Sequence, residues 1–128
     1  MVNQYKTVVI VEDEPDTAEM FAEMMNLIGY EAYKSYGGIS SIDLIAEKKP
    51  SAVLLDIMMP DLSGLEVMGY ICRDPQLPRI PVIVVSARSL PSDKKRGLEA
   101  GATFYLTKPV TSLDLKWAIE NAVQQTTG

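Results

Sequence analysis

The chain has 128 residues, enough for one domain and too few for two ordinary ones. Apolar residues make up 47%, which excludes a disordered chain, and no apolar run approaches the ~18 residues of a membrane span. Seventeen acidic against twelve basic residues give a net charge of −5, which argues against direct nucleic-acid binding; the absence of histidine removes His-based catalysis and His metal sites, and the lone Cys72 cannot form an internal disulfide or a structural zinc site.

The elements follow in chain order. Residues 7–11 are a β-branched run of the kind that fills a buried parallel strand. Pro15 opens a helix, with Asp16 and Glu19 near its positive end; Ala18, Phe21, Met24, Met25 and Ile28 recur at helical spacing, and Gly29 ends it. Residues 31–35 form a short second strand, and Ile39, Ile42, Ile45 and Ala46 mark a second helix, closed by Lys48, Lys49 and Pro50. Residues 52–56 are a third strand, apolar until it ends in Asp56. Leu65, Met68, Ile71 and Cys72 mark a third helix, with Cys72 read as a small buried residue; Gly69 costs this helix ~1 kcal/mol relative to alanine. Residues 80–85 are a fourth strand, with Pro81 near its start. Residues 89–100 predict a weakly anchored helix with Leu90 and Leu98 as its main apolar contacts and Lys94-Lys95-Arg96 on a solvated face. Residues 103–107 are a fifth strand, and Leu115, Ala118, Ile119 and Ala122 mark the last helix.

Such alternation predicts an α/β fold: a parallel sheet covered on both faces by helices with right-handed crossovers. The functional crevice of such sheets lies beyond the carboxyl ends of the strands. There the order of elements places Glu12-Asp13, Asp56, Ser86 and Lys108-Pro109. Loops are polar in any case, but that explains poorly a lone aspartate at the end of a buried apolar strand. Clustered carboxylates repel one another unless a cation neutralises them. Mg²⁺ suits an all-oxygen donor set, and it stabilises charge in phosphoryl transfer. Asp56 is then the nucleophile of an aspartyl phosphate, with Lys108 and Ser86 available to the phosphoryl oxygens.

Five segments carry a family resemblance: Val9-Ile10-Val11-Glu12-Asp13-Glu14, Leu54 through Gly64 around Asp56 and Pro60, Val84-Val85-Ser86-Ala87, Gly97 through Ala102, and Tyr105-Leu106-Thr107-Lys108-Pro109. In this order and spacing the chain resembles, over its whole length, the CheY-like receiver domain of two-component response regulators. The resemblance implies a doubly wound, flavodoxin-like, five-stranded sheet of order 2-1-3-4-5 with five helices, and a single receiver domain over residues 1–128. It implies Asp56 as phosphoacceptor; Asp13, Asp56 and the Met58 carbonyl as the Mg²⁺ site, with Glu12 acting through a water or by longer reach; Lys108 and Ser86 as catalytic partners; and Ser86 and Tyr105 as the switch pair. It also implies a cis peptide bond between Lys108 and Pro109. Asp61, further along the same loop, is read as contributing only long-range attraction. Glu12 stands where an aspartate is more usual and Phe104 where a polar residue is common. If Leu115 and Ile119 face the core, Leu113 and Trp117 fall at least partly outside it and form a candidate interaction surface; Trp117 as part of the core is the alternative.

The implied partners are a sensor histidine kinase or histidine phosphotransfer protein and a downstream target. A C-terminal output domain absent from this chain is the alternative to that target, and a phosphorylation-linked homodimer is a further implied partner. No nucleic-acid or membrane partner is expected. The residues Met1 to Lys6 lack the layout of a signal peptide, and with one cysteine a reducing cytoplasm is the expected location. The chain is expected to catalyse only its own phosphorylation and slow autodephosphorylation. A haloacid-dehalogenase-type phosphatase needs a second acid where Met58 stands. A flavodoxin needs a phosphate loop after the first strand, which is missing. The alternative kept is a phosphorylation-independent pseudo-receiver, and the intact set Asp13, Asp56, Ser86 and Lys108 argues against it.

Overall fold

The computed structural model describes residues 6–77 and 79–127. Residues 1–5, most of the segment weighed above as a leader, lie outside them. Strands β1 (Thr7–Val11), β2 (Glu31–Ser35), β3 (Ala52–Leu55), β4 (Val82–Ser86) and β5 (Phe104–Thr107) alternate with helices α1 (Pro15–Leu27), α2 (Gly38–Lys48), α3 (Gly64–Arg73), α4 (Pro91–Glu99) and α5 (Ser112–Thr127). All pairings are parallel, and the sheet order is β2-β1-β3-β4-β5.

The order follows from burial. Successive side chains of a strand alternate between faces, and the central strands are apolar except at Thr7 and Ser86, so both faces must be covered. Val8, Ile10, Leu54, Ile83 and Val85 pack on one side against Phe21 and Met25 of α1 and Leu115, Ala118, Ile119 and Ala122 of α5. Val9, Val11, Val53, Leu55, Val82 and Val84 pack on the other side against Ile45 of α2 and Val67, Met68 and Ile71 of α3. Each fully buried Leu or Ile in these layers contributes about 1.5–3 kcal/mol of transfer free energy.

Local signals set the helix ends. Pro15 opens α1, and Gly29 leaves it at φ +97°, a conformation that costs glycine no Cβ clash. Ser63 and Glu66 close a capping box on α3: the Ser63 Oγ accepts the Glu66 N–H, and the Glu66 carboxylate accepts the Ser63 N–H. The peptide bond between Lys108 and Pro109 is cis.

Several expectations shift. The third strand ends at Leu55, although the Asp56 N–H still donates to the Val11 carbonyl at 3.0 Å. The fourth begins at Val82, after Pro81, and runs through Ser86. The fourth helix is shorter than 89–100 because Pro91 starts it. Leu90 and Leu98 are 62% and 48% exposed, so neither anchors α4; its buried residues are Asp93 and Gly97. Ile39 is exposed, and Cys72 is an exposed free thiol beside Gly101, not a core residue.

Candidate functional site

Sheet order reverses between β1 and β3: the chain leaves β1 towards α1 and the β2 edge, and leaves β3 towards α3 and the β4 side. The carboxyl ends of these strands therefore border the crevice where ligands bind in doubly wound sheets. Glu12 and Asp13 follow β1, and Asp56 follows β3. One carboxylate oxygen from each of the three lies within 4.8 Å of the others. Glu12 and Asp56 are buried, and Asp13 is more open to solvent.

Lys108, just past β5, reaches across this end of the sheet. Its Nζ donates to Glu12 Oε1 at 2.7 Å and to Asp56 Oδ2 at 3.0 Å. The second oxygen of each carboxylate is also held: Met58 N–H donates to Asp56 Oδ1 at 2.9 Å, and Glu14 N–H to Glu12 Oε2 at 3.2 Å. Burial disfavours the Lys108 charge, but its bonds to Glu12 and Asp56 outweigh that and leave its pKa raised. Burial raises the Glu12 pKa; the Lys108 hydrogen bond opposes this, and the Asp56 charge adds to it. One ammonium thus serves two buried carboxylates, and neither shift is paradoxical. Counting Asp13, three negative charges meet one positive charge, leaving a surplus of two. An all-oxygen cluster with that surplus fits a hard divalent cation.

Ser86, the last residue of β4, is fully buried, and its Oγ accepts the Arg88 N–H at 3.2 Å. The Tyr105 hydroxyl donates to the Arg88 carbonyl at 2.8 Å, and its ring lies against Gly97, where an added Cβ would fall 2.7 Å from Cδ2. Burial, with the Asp93 and Asp56 charges acting in the same sense, raises the Tyr105 pKa, so the phenol remains a donor. Arg88 Nε donates to Asp93 Oδ1 at 3.1 Å, while Asp93 Oδ2 accepts the Leu90 N–H at 3.3 Å and so caps α4. The Ser86–Tyr105 pair is therefore joined through Arg88, a residue the sequence reading passed over. In register with Ser86 on β5 stands Thr107, whose Oγ1 is the one buried side-chain polar atom without a hydrogen-bond partner among the described residues.

Leu113 and Trp117 are 77% and 56% exposed on α5, outside the core face as expected. Trp117 also stacks obliquely on Phe104, with ring centroids 5.0 Å apart. Asp61 departs from expectation. Its carboxylate accepts the Gly38 N–H at 3.0 Å and the Ile39 N–H at 3.1 Å, capping α2 from another loop. The signal in the sequence was negative: Gly37-Gly38 gives α2 no capping side chain of its own.

The response regulator receiver domain family matches residues 8–120. The chain belongs to this family. This receiver is 36% identical over 106 residues to the polar-differentiation response regulator DivK of Brucella anthropi, covering 83% of this chain and 86% of that one. Among solved structures, a protein assigned as a response regulator of Chloroflexus aurantiacus J-10-fl superposes with a TM-score of 0.89 at 27% identity, over 94% of this chain and 99% of that one. The receiver domain of the sensor histidine kinase PA1611 from Pseudomonas aeruginosa PAO1, solved with magnesium coordinated in its active-site cleft, gives 0.86 at 25% identity, over 94% and 99% of the two chains. Among the described residues of this receiver, no helix is long and apolar enough to cross a membrane.

Proposed function

We propose that residues 1–128 form a single receiver domain in which Asp56 accepts a phosphoryl group from a phosphohistidine on a sensor histidine kinase or a phosphotransfer protein. The observation that carries this reading is the Lys108 ammonium bridging Glu12 and Asp56 beside a third carboxylate, Asp13. Glu12, Asp13, Asp56 and the Met58 carbonyl would hold Mg²⁺. When bound, the ion would offset the surplus negative charge and the charge of the incoming phosphoryl group.

The chain's own groups supply the rest. The Met58 N–H orients the Asp56 carboxylate by holding Oδ1. An Asp56 oxygen attacks phosphorus in line with the departing imidazole nitrogen; the P–N bond breaks, and its electron pair stays on the imidazole. Lys108 transfers its contacts to the phosphoryl oxygens, and the Ser86 hydroxyl donates to one of them. Water later attacks phosphorus and returns inorganic phosphate and free Asp56. That step is slow, because Met58 stands two residues after the nucleophile and cannot accept a proton. The domain thus catalyses only its own phosphorylation and slow autodephosphorylation.

Output is read by a target protein, or by an output domain on a longer chain, at the face formed by α4, β5 and α5. Leu113 and Trp117 offer exposed apolar contacts there. A homodimer that forms on phosphorylation would use the same face. The net charge of −5 favours a protein partner over nucleic acid, and the cytoplasm, where such kinases present their phosphohistidine, is the proposed location.

Incubation with Mg²⁺ and acetyl phosphate, followed by intact mass measurement, tests the site. One base-labile phosphoryl adduct is expected, and Asp56→Asn removes it. Undiminished labelling of the Asn variant would overturn the assignment.

A further inference from the structure

Helix α2 starts without a cap of its own. Its N-cap is Gly37, which has no side chain to accept the N–H groups of the first turn. Asp61, 23 positions from Gly38, fills that role: Oδ1 takes the Gly38 N–H at 3.0 Å and Oδ2 the Ile39 N–H at 3.1 Å. A carboxylate at the positive end of a helix is favoured by the dipole as well as by the hydrogen bonds. The Gly38 bond first, then the Ile39 bond, lowers the Asp61 pKa, so the group stays ionised at neutral pH.

The two glycines are what permit this approach. A Cβ on Gly37 would lie 3.1 Å from Asp61 Oδ2, and one on Gly38 would lie 2.5 Å from the Leu62 carbonyl oxygen. The 57–63 loop therefore lies directly on the start of α2. Its far end is held by the Ser63–Glu66 capping box, and its near end by the Met58 N–H on Asp56 and the Gly64 N–H on the Ile57 carbonyl at 3.2 Å. Between these anchors, Asp61 is the side chain that ties the loop to α2.

We propose that Asp61 is a positioning residue for the phosphorylation site. By capping α2 it fixes the 57–63 loop, and with it the Met58 carbonyl that would help hold the cation and the Met58 N–H that orients Asp56. The role depends on hydrogen-bonding geometry, not on the charge that Asp61 adds to an acidic surface. The proposal rests on the phosphoacceptor reading above.

Three variants separate geometry from charge. Asp61→Ala removes both acceptors, Asp61→Asn keeps an acceptor oxygen without the charge, and Gly38→Ala keeps the charge but drives a methyl into Leu62. Two measurements are made on each: amide exchange of the metal-free protein at residues 38, 39 and 57–63, and Mg²⁺ affinity by calorimetry, alongside the Mg²⁺ dependence of labelling by acetyl phosphate. Asp61→Ala and Gly38→Ala should speed exchange throughout the loop and weaken Mg²⁺ binding about tenfold, the lower end of the loss seen when groups behind a metal's ligands are removed. Asp61→Asn, which keeps one acceptor oxygen but turns an NH2 donor towards the second N–H, should fall between the wild type and Asp61→Ala. Equal losses in the Asn and Ala variants, with wild-type exchange and affinity in Gly38→Ala, would overturn the proposal in favour of charge alone. Faster exchange at residues 38 and 39, with the loop amides and Mg²⁺ affinity unchanged, would reduce Asp61 to a helix cap. If the wild type takes no phosphoryl group on Asp56, the phosphoacceptor reading fails, while exchange and calorimetry still decide whether Asp61 positions the loop.

Discussion

Asp61 and Arg88 do comparable work at opposite edges of the crevice, each joining a loop to the start of a helix. Arg88 uses its backbone on the Ser86 and Tyr105 side chains and its guanidinium on Asp93. Its side chain is half exposed, so its ion pair with Asp93 is worth at most about 1 kcal/mol in stability. What it supplies is connection: a turn of Ser86 breaks its bond to the Arg88 N–H, on the same residue whose carbonyl Tyr105 holds. Asp61 has a measurable pH signature. Its folded pKa lies below the ordinary aspartate value of 3.8, held down by the Gly38 and Ile39 N–H groups. The stabilisation is therefore complete above the unfolded pKa and is lost as pH falls from about there through the folded value. Urea unfolding of the metal-free wild type and Asp61→Asn should show the larger gap at pH 7, closing below pH ~4. A gap that persists unchanged into strong acid would mean that ionised Asp61 does not cap α2.

At the scale of elements, α4 differs from its neighbours. The other helices present an apolar stripe to the sheet, whereas α4 buries only Asp93 and Gly97. Gly97 is small because the Tyr105 ring lies on it. Gly97→Ala should gain about 1 kcal/mol of helix propensity. It should lose about 1–3 kcal/mol to the clash unless the ring moves. The expected outcome is a displaced Tyr105, a broken bond to Arg88 and faster amide exchange across residues 91–99, with the melting temperature little changed. Unchanged exchange would show that the ring does not hold the helix. The same helix marks the limit of what was legible in the sequence. Elsewhere, runs such as Val8–Val11 and stripes such as Leu115, Ala118 and Ile119 report burial directly, because both faces of the strand and one face of the helix meet packed layers. The site was legible for a related reason: strand ends in a parallel sheet share one edge, so Glu12, Asp13, Asp56, Ser86 and Lys108 could be placed together before any coordinates. In α4, periodicity pointed to Leu90 and Leu98, but their place is taken by a polar cap and a tyrosine from β5, which no local pattern encodes. Arg88 and the capping role of Asp61 were missed for the same reason, since their partners lie on other elements. The Ser63-x-x-Glu66 box, by contrast, is local and could have been read.

Across the whole molecule, the proposed phosphorylation of Asp56 would have to reach the outer face of α4, β5 and α5. An unphosphorylated receiver in equilibrium between two arrangements would need only a few kcal/mol of differential contact to shift. The route with the fewest apolar contacts to break is the one through Ser86, Arg88 and Tyr105, because α4 has no buried apolar side chain to reseat. A Ser86 hydroxyl drawn towards a phosphoryl oxygen would pull on the Arg88 backbone, and the Tyr105 hydroxyl bonded to it would follow. Trp117 senses this indirectly. Tyr105 packs on the α2–α3 side of the sheet, whereas Phe104, which contacts Trp117, packs on the α1–α5 side. Emission from Trp117 should therefore change only as far as β5 itself shifts, and exchange along α4 should be the larger signal. Beryllofluoride with Mg²⁺, a mimic of the phosphoryl group, should alter amide exchange from residue 88 to 105 and produce a smaller change in Trp117 emission. Tyr105→Ala should still bind the mimic, judged by calorimetry, yet lose most of the response in 91–99. Should saturating mimic leave exchange across 88–105 as it is in the free protein, signal leaves the site by another route and the Arg88 linkage is only structural.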